Sequence, residues 1–140
     1  MPDTPTPDEV WRLLTHVVIE SRDPWRRAVT DRTGLPFSRI RVLKRLRPGP
    51  ITLKELAYSA GMDAPAATVA VNDLEERGLV VREIDPRNRR QKLVSITEEG
   101  ERMLAFAKSV PDPAPPPIAE LSGSELRTLR DLLRKLEPED

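Results

Sequence analysis

TLKELAYSAGMDAPAATVAVNDLEERGLVVREIDPRNRRQKLVSIT, residues 52–97, decides the fold. It opens on Thr52-Leu53-Lys54-Glu55, a capping box in which a hydroxyl and a carboxylate serve the free N–H groups of a first helical turn. Leu53, Leu56, Ala57 and Ala60 then recur at helical spacing and predict a buried face. Gly61 and Met62 make a short turn. Asp63 caps a second helix, with Pro65 in its first turn where a missing N–H costs little. Ala67, Ala70, Val71 and Leu74 form that helix's inner stripe, and Gly78 ends it. The pattern then changes to that of a hairpin. Leu79 to Ile84 reads as a strand, Asp85 to Arg90 as a polar, turn-rich tip, and Lys92 to Thr97 as the returning strand. Helix, short turn, helix, strand, basic tip, strand is the order of a helix-turn-helix followed by a wing.

The flanks are helical. Ser38 to Leu46 predicts a short helix with Ile40, Leu43 and Leu46 inward, ended by Arg47-Pro48-Gly49-Pro50. Upstream, Thr6-Pro7-Asp8-Glu9 starts a helix whose stripe is Val10, Leu13, Leu14, Val17 and Val18. Pro24 kinks or breaks it, and Trp25, Ala28 and Val29 carry the stripe on to Gly34. Downstream, Thr97 caps a helix to about Lys108. Pro111 to Pro117 holds five prolines and predicts a stiff, extended, non-helical linker. Ser122 to Glu125 is a third capping box, opening a last amphipathic helix through Leu126, Leu129, Leu132, Leu133 and Leu136. The expected class is mainly α: a winged helix-turn-helix with a two-stranded β wing, flanked by terminal dimerisation helices. The expected division is 1–34 for an N-terminal dimerisation helix, 35–100 for the DNA-binding lobe, and 101–140 for the linker and C-terminal dimerisation helices.

Lys plus Arg and Asp plus Glu both number 23, so the formal net charge is zero. That balance argues weakly against nucleic acid as a partner, but position matters more than the total. Arg39 to Arg47 holds five cations and no acid, Arg87 to Lys92 four and no acid, and the tail holds Glu137, Glu139 and Asp140. There is no cysteine and one histidine, His16. Disulfides and thiol-based redox sensing are excluded, and a transition-metal site lacks ligands, so no metal and no cofactor are expected. No apolar stretch reaches the ~18 residues of a membrane span. The start lacks the basic and apolar blocks of a signal peptide, so the expected location is the cytoplasm. An enzyme fails for want of parts, with no phosphate-binding glycine loop either. An interaction module, a winged helix used to bind protein, remains a rival, and the arginine-free second helix is its support.

With Ala67 at the centre of the buried face, Pro65, Val69, Asn72 and Glu76 point outward and Ala66 and Thr68 lie on the flanks. In a helix-turn-helix this face enters the major groove. Asn72 suits an adenine edge, while Ala66, Thr68 and Val69 suit thymine methyls. The bland alternative is a lone surface valine. Arg87, Arg89 and Arg90 on a hairpin tip suit phosphates or a narrow minor groove, against the bland reading of a solvated turn. Arg39 and Lys54 are further candidates for the DNA backbone. The run that contains Arg39 can equally cover solvent or pair with acids on a partner chain.

Residues Leu35 to Gly100 resemble the MarR family of bacterial regulators. The likeness rests on Leu53-Lys54-Glu55-Leu56-Ala57, on Leu74-Glu75-Glu76-Arg77-Gly78-Leu79-Val80, and on the wing, Asp85-Pro86-Arg87-Asn88-Arg89-Arg90 with Leu93 to Gly100. Leu121 to Leu136 resembles the family's last dimerisation helix. The resemblance implies a homodimeric regulator of transcription on a palindromic operator, most often a repressor. It singles out Arg90 in the wing. It also implies a possible small aromatic or anionic effector, for which Trp11, His16, Trp25 and Tyr58 are the candidate lining. Their bland reading is as ordinary core and interface residues. Three features depart from the family pattern. Asn88 stands where an acid often pairs with a wing arginine. Ala66, Val69 and Asp73 stand where Thr, Arg and Arg are common. Prolines interrupt the helix after the wing, which is normally unbroken.

Overall fold

The computed structural model describes residues 3–137, so Glu139 and Asp140 of the acidic tail lie outside the described residues. Chain order is α1 (Pro7–Ser21), α2 (Asp23–Thr33), α3 (Phe37–Leu46), β1 (Ile51–Thr52), α4 (Leu53–Ala60), α5 (Ala64–Glu76), β2 (Val80–Asp85), β3 (Asn88–Ile96), α6 (Glu98–Lys108), α7 (Pro116–Ala119) and α8 (Gly123–Leu136). It is a mainly helical winged helix-turn-helix.

The helix starts follow from local chemistry. Thr6, Thr52, Asp63, Thr97 and Ser122 each accept a hydrogen bond from the backbone N–H three residues on, at 2.8–3.2 Å. Each cap supplies one otherwise orphaned donor with a partner, worth about 1 kcal/mol. Only at Ser122 is the box reciprocal, with Glu125 accepting from the Ser122 N–H at 3.0 Å. At Thr52 the hydroxyl itself donates to the Glu55 carboxylate. The first helical stretch breaks at Arg22, which puts Pro24 in the first turn of α2, where no N–H is needed. Gly61, at φ 67°, takes the left-handed turn between α4 and α5 that a side chain would resist.

One core joins these elements. Val29 of α2, Ile40, Leu43 and Leu46 of α3, Leu56 of α4, Val71 and Leu74 of α5, Val94 of β3 and Leu104 of α6 are all at most 2% exposed. Burying each Leu or Ile here contributes roughly 2 kcal/mol. The inner ends of the terminal segments therefore belong to the same core as the helix-turn-helix. The outer ends do not: α1 and α8 contain no buried residue. Among the described residues no helix is long and apolar enough to cross a membrane.

The sheet extends the expectation. The two wing strands pair antiparallel from Val80↔Ile96 to Ile84↔Lys92, and β1 adds a third strand at Ile51↔Val94. Two local readings need correction. The returning strand begins at Asn88, not Lys92, because Asp85 pairs with Asn88 and confines the turn to Pro86 and Arg87. Arg89 and Arg90 thus stand on strand backbone beside a register break rather than in the turn. The proline run is also not wholly extended. Pro116 and Pro117 open α7 behind Pro115, at positions whose N–H groups a helix leaves unpaired anyway.

At Gly100, α6 closely approaches Leu79 and Ile96. A Cβ on Gly100 would collide with the Leu79 carbonyl and lie 2.6 Å from Ile96 Cγ1. Gly100→Ala should therefore destabilise by about 2–3 kcal/mol, since overpacking outweighs the ~1 kcal/mol that alanine gains in a helix. Urea unfolding of both proteins measures it. Equal or greater stability of the variant would show that the joint can yield.

Candidate nucleic-acid interface

The outward face of α5 is as the periodicity required. Pro65, Ala66, Val69 and Asn72 are exposed, Thr68 is half-buried, and Ala67, Ala70, Val71 and Leu74 are buried. Val69 is 59% exposed, an isolated apolar side chain on the face a groove would receive. The Thr68 hydroxyl donates back to the Ala64 carbonyl at 3.0 Å, leaving it lone pairs and its methyl to present.

Two acids on α5 organise cations from elsewhere. Asp73 accepts from Nε of Arg39 and Nε of Arg77, each at 3.0 Å. The Arg39 guanidinium, and after it that of Arg77, hold the Asp73 carboxyl below its ordinary range. Arg39, with a side chain 19% exposed, thus braces α3 against α5 rather than standing free for a phosphate. Glu75 receives Arg82 of β2 through the backbone N–H at 3.2 Å and Nη2 at 2.9 Å, and that guanidinium lowers the Glu75 value. Arg82 Nη2 also donates to the Asn72 Oδ1 at 2.7 Å. This ties the first wing strand to the helix and fixes one side chain of the exposed face. The sequence reading missed Arg82 and Glu75. Only the seven-residue separation across a helix end hinted at them.

The wing tip has its own clasp. Asp85, 7% exposed, accepts from the Arg87 N–H at 2.9 Å and from Gln91 Nε2 at 2.8 Å. The first of these bonds chiefly holds its carboxyl below the usual range. Asn88 accepts from the Arg90 N–H at 3.2 Å. Turn closure therefore rests on backbone N–H donors rather than on a carboxylate at position 88. Arg87, Arg89 and Arg90 are exposed and form no ion pair among the described residues. Lys54 is exposed on α4 and lines a shallow groove with Arg45, Ile51 and Tyr58.

The four candidate effector residues are not brought together. Trp25 packs edge-on against Phe37, with ring centroids 5.3 Å apart, and lines a cleft of about 660 Å³ with Pro24, Ala28 and the 111–117 segment. Tyr58 is 91% exposed and lines the separate α4 groove. Trp11 and His16 are exposed on α1 and line neither. Within one chain α1 and α4 present these side chains to solvent, and of the four only Trp25 faces a cleft beside the linker. Arg22 covers the Trp25 ring at 4.1 Å and bridges to Asp112 at 2.8 Å.

Residues 33–91 match the family model described as the MarR family. The transcriptional regulator HosA of Escherichia coli O111:H- is 31% identical over 115 residues, covering 80% of this chain and 82% of that protein. CouR from Rhodococcus jostii RHA1, solved bound to p-coumaroyl-CoA, is 31% identical with a TM-score of 0.64 over 92% of each chain. Apo wild-type MarR from E. coli shares the fold at a TM-score of 0.72, with 24% identity over 89% of this chain and 95% of that one.

The depressed carboxylates set an acid limit. Asp73, Glu75 and Asp85 each titrate lower in the folded chain than their ordinary values of about 4. Each stabilises the fold above that ordinary value and loses its contribution as pH falls through the lower folded value. The urea midpoint should hold steady from about pH 7 to 5 and fall below about pH 4. Asp73→Asn and Asp85→Asn should flatten that fall. A wild-type midpoint unchanged to about pH 3 would contradict it.

Proposed function

The chain belongs to the MarR family of transcription regulators, and on that premise we propose that it is a homodimeric repressor acting on a palindromic operator. DNA-binding regulation of transcription, not catalysis, is the business of the family. The carrying observation is the exposed face of α5 together with three wing arginines that are exposed and form no ion pair among the described residues. In the proposed complex Pro65, Ala66, Thr68, Val69 and Asn72 face base edges. Arg87, Arg89 and Arg90 face the backbone or minor groove, and Lys54 neutralises a phosphate. Two recognition helices would sit about one DNA turn (~34 Å) apart. Phosphate contacts supply affinity and base edges supply selection.

The dimer is proposed from the termini. Val10, Trp11, Leu13, Val17 and Val18 of α1 and Leu126, Leu133 and Leu136 of α8 are all at least 41% exposed, an apolar surface that a second copy would cover. The functional division is 1–34 and 101–140 for pairing and 35–100 for DNA, with Val29 and Leu104 anchoring the outer segments to the lobe. An effector is proposed for the cleft beside Trp25, supported by the liganded state of CouR. Trp25, the prolines and Ala28 make most of that lining, and Asp112 in it is already paired with Arg22, which suits an aromatic molecule.

Sedimentation at micromolar concentration should give about twice the 15.8 kDa chain mass, and Leu133→Glu should lower it toward one. A wild-type monomer that grips a palindrome tightly would overturn the dimer. Arg90→Ala should weaken binding to operator and random duplex alike and reduce the salt slope by about one. Titrations at several salt concentrations read this. If the folded variant binds like wild type at every salt, the wing is not the phosphate surface, and the exposed cations Lys44, Arg45 and Arg47 become the better candidate.

A further inference from the structure

We infer that Arg82 sets the base preference of the recognition helix by turning the Asn72 carboxamide, so that Asn72 reads a keto base, guanine or thymine, rather than adenine. This rests on the proposed DNA complex and adds a selection rule to it. A guanidinium has donors and no acceptor. The group facing Arg82 Nη2 at 2.7 Å must therefore be the Asn72 carbonyl oxygen, and the amide orientation follows from chemistry alone. Arg82 cannot swing away freely, because its Nη2, its Nε and its backbone N–H all engage Glu75. The Asn72 oxygen is thereby drawn toward β2, and the two Nδ2 hydrogens are left for the exposed side of α5.

An asparagine pairs with adenine by presenting both ends, the oxygen to N6 and the amide nitrogen to N7. Here Arg82 holds the oxygen toward β2, away from the exposed side of α5, so the side chain meets the groove through its Nδ2 donors. In the major groove the acceptors are O6 and N7 of guanine, O4 of thymine and N7 of adenine. The donors are the amino groups of adenine and cytosine. A donor-only amide gains a bond from a keto edge and opposes an amino edge. Guanine, with two adjacent acceptors, fits best.

The test is a set of competition titrations at one salt concentration, using duplexes with all four base pairs at each operator position, for wild type and three variants. Wild type should prefer a G·C pair over an A·T pair at one step by about tenfold, with guanine on one fixed strand. Asn72→Ala should abolish that preference, leaving other positions and the salt slope alone. Asn72→Asp, which only accepts, should turn it toward adenine or cytosine. Arg82→Met should free the amide and restore adenine at that step. If Arg82→Met fails to fold, Asn72→Asp still decides. An unchanged preference in Asn72→Ala overturns the inference, as does an Asn72-dependent preference for adenine in wild type. A uniform loss at all positions in Arg82→Met with no change at the Asn72 step overturns it too, leaving Arg82 as a brace. Failure of wild type to bind any duplex instead removes the DNA reading beneath it.

Discussion

The joint at Thr97 is the constraint on which the reading surface depends. Its hydroxyl donates to the Gly78 carbonyl at 2.7 Å while accepting from the Gly100 N–H at 3.1 Å, and its own N–H reaches the Leu79 carbonyl. One threonine therefore fastens the end of α5, the end of β3 and the start of α6. Gly100 lets α6 approach close enough for the bonds to form. With that joint closed, the wing leaves the helix in one direction, and Glu75 and Arg82 meet across the gap. A wing free to swing would present the same arginines at many angles and hold none at a phosphate.

Charge in this molecule is sorted rather than accumulated. Asp73 and Glu75 engage Arg39, Arg77 and Arg82 in the scaffold, while Arg87, Arg89 and Arg90 stand exposed at the wing. A net charge of zero is compatible with a locally positive edge because these acids sit where arginines brace the scaffold. Such half-exposed pairs add modestly to stability, and their larger effect is to fix geometry.

Much of this was legible in the chain. Capping residues, glycine turns and a 3.6-residue stripe specify each helix locally, so α1 and α3 to α6 lie within a residue or two of where composition put them. The expected dyad of wing strands was legible from alternation. What was not legible depends on pairs distant in sequence or on register. The Arg39–Asp73 bridge spans 34 residues, and no neighbour of Arg39 in the chain signals that its guanidinium has a fixed acid partner. The early start of β3 rests on the Asp85 clasp, which no alternation pattern encodes. The aromatic residues misled for a similar reason. Composition says that rings seek cover, yet Trp11 and Tyr58 are mostly exposed in a single chain, and only packing geometry separates Trp25 from them.

The proline-rich stretch between α6 and α7 bears on how two copies would meet in the proposed dimer. A flexible tether of the same length would let α8 sample a wide volume and would dilute it with respect to a partner. Prolines remove most of that freedom before association, and Arg22 pins the stretch through Asp112. In the proposed dimer the terminal helix would thus be delivered at high effective concentration to one location, so less orientational entropy would be lost on pairing. On this view the interruption of the helix is a hinge exchanged for a strut. Its length, counted in prolines, would in the proposed dimer set how far apart two lobes stand.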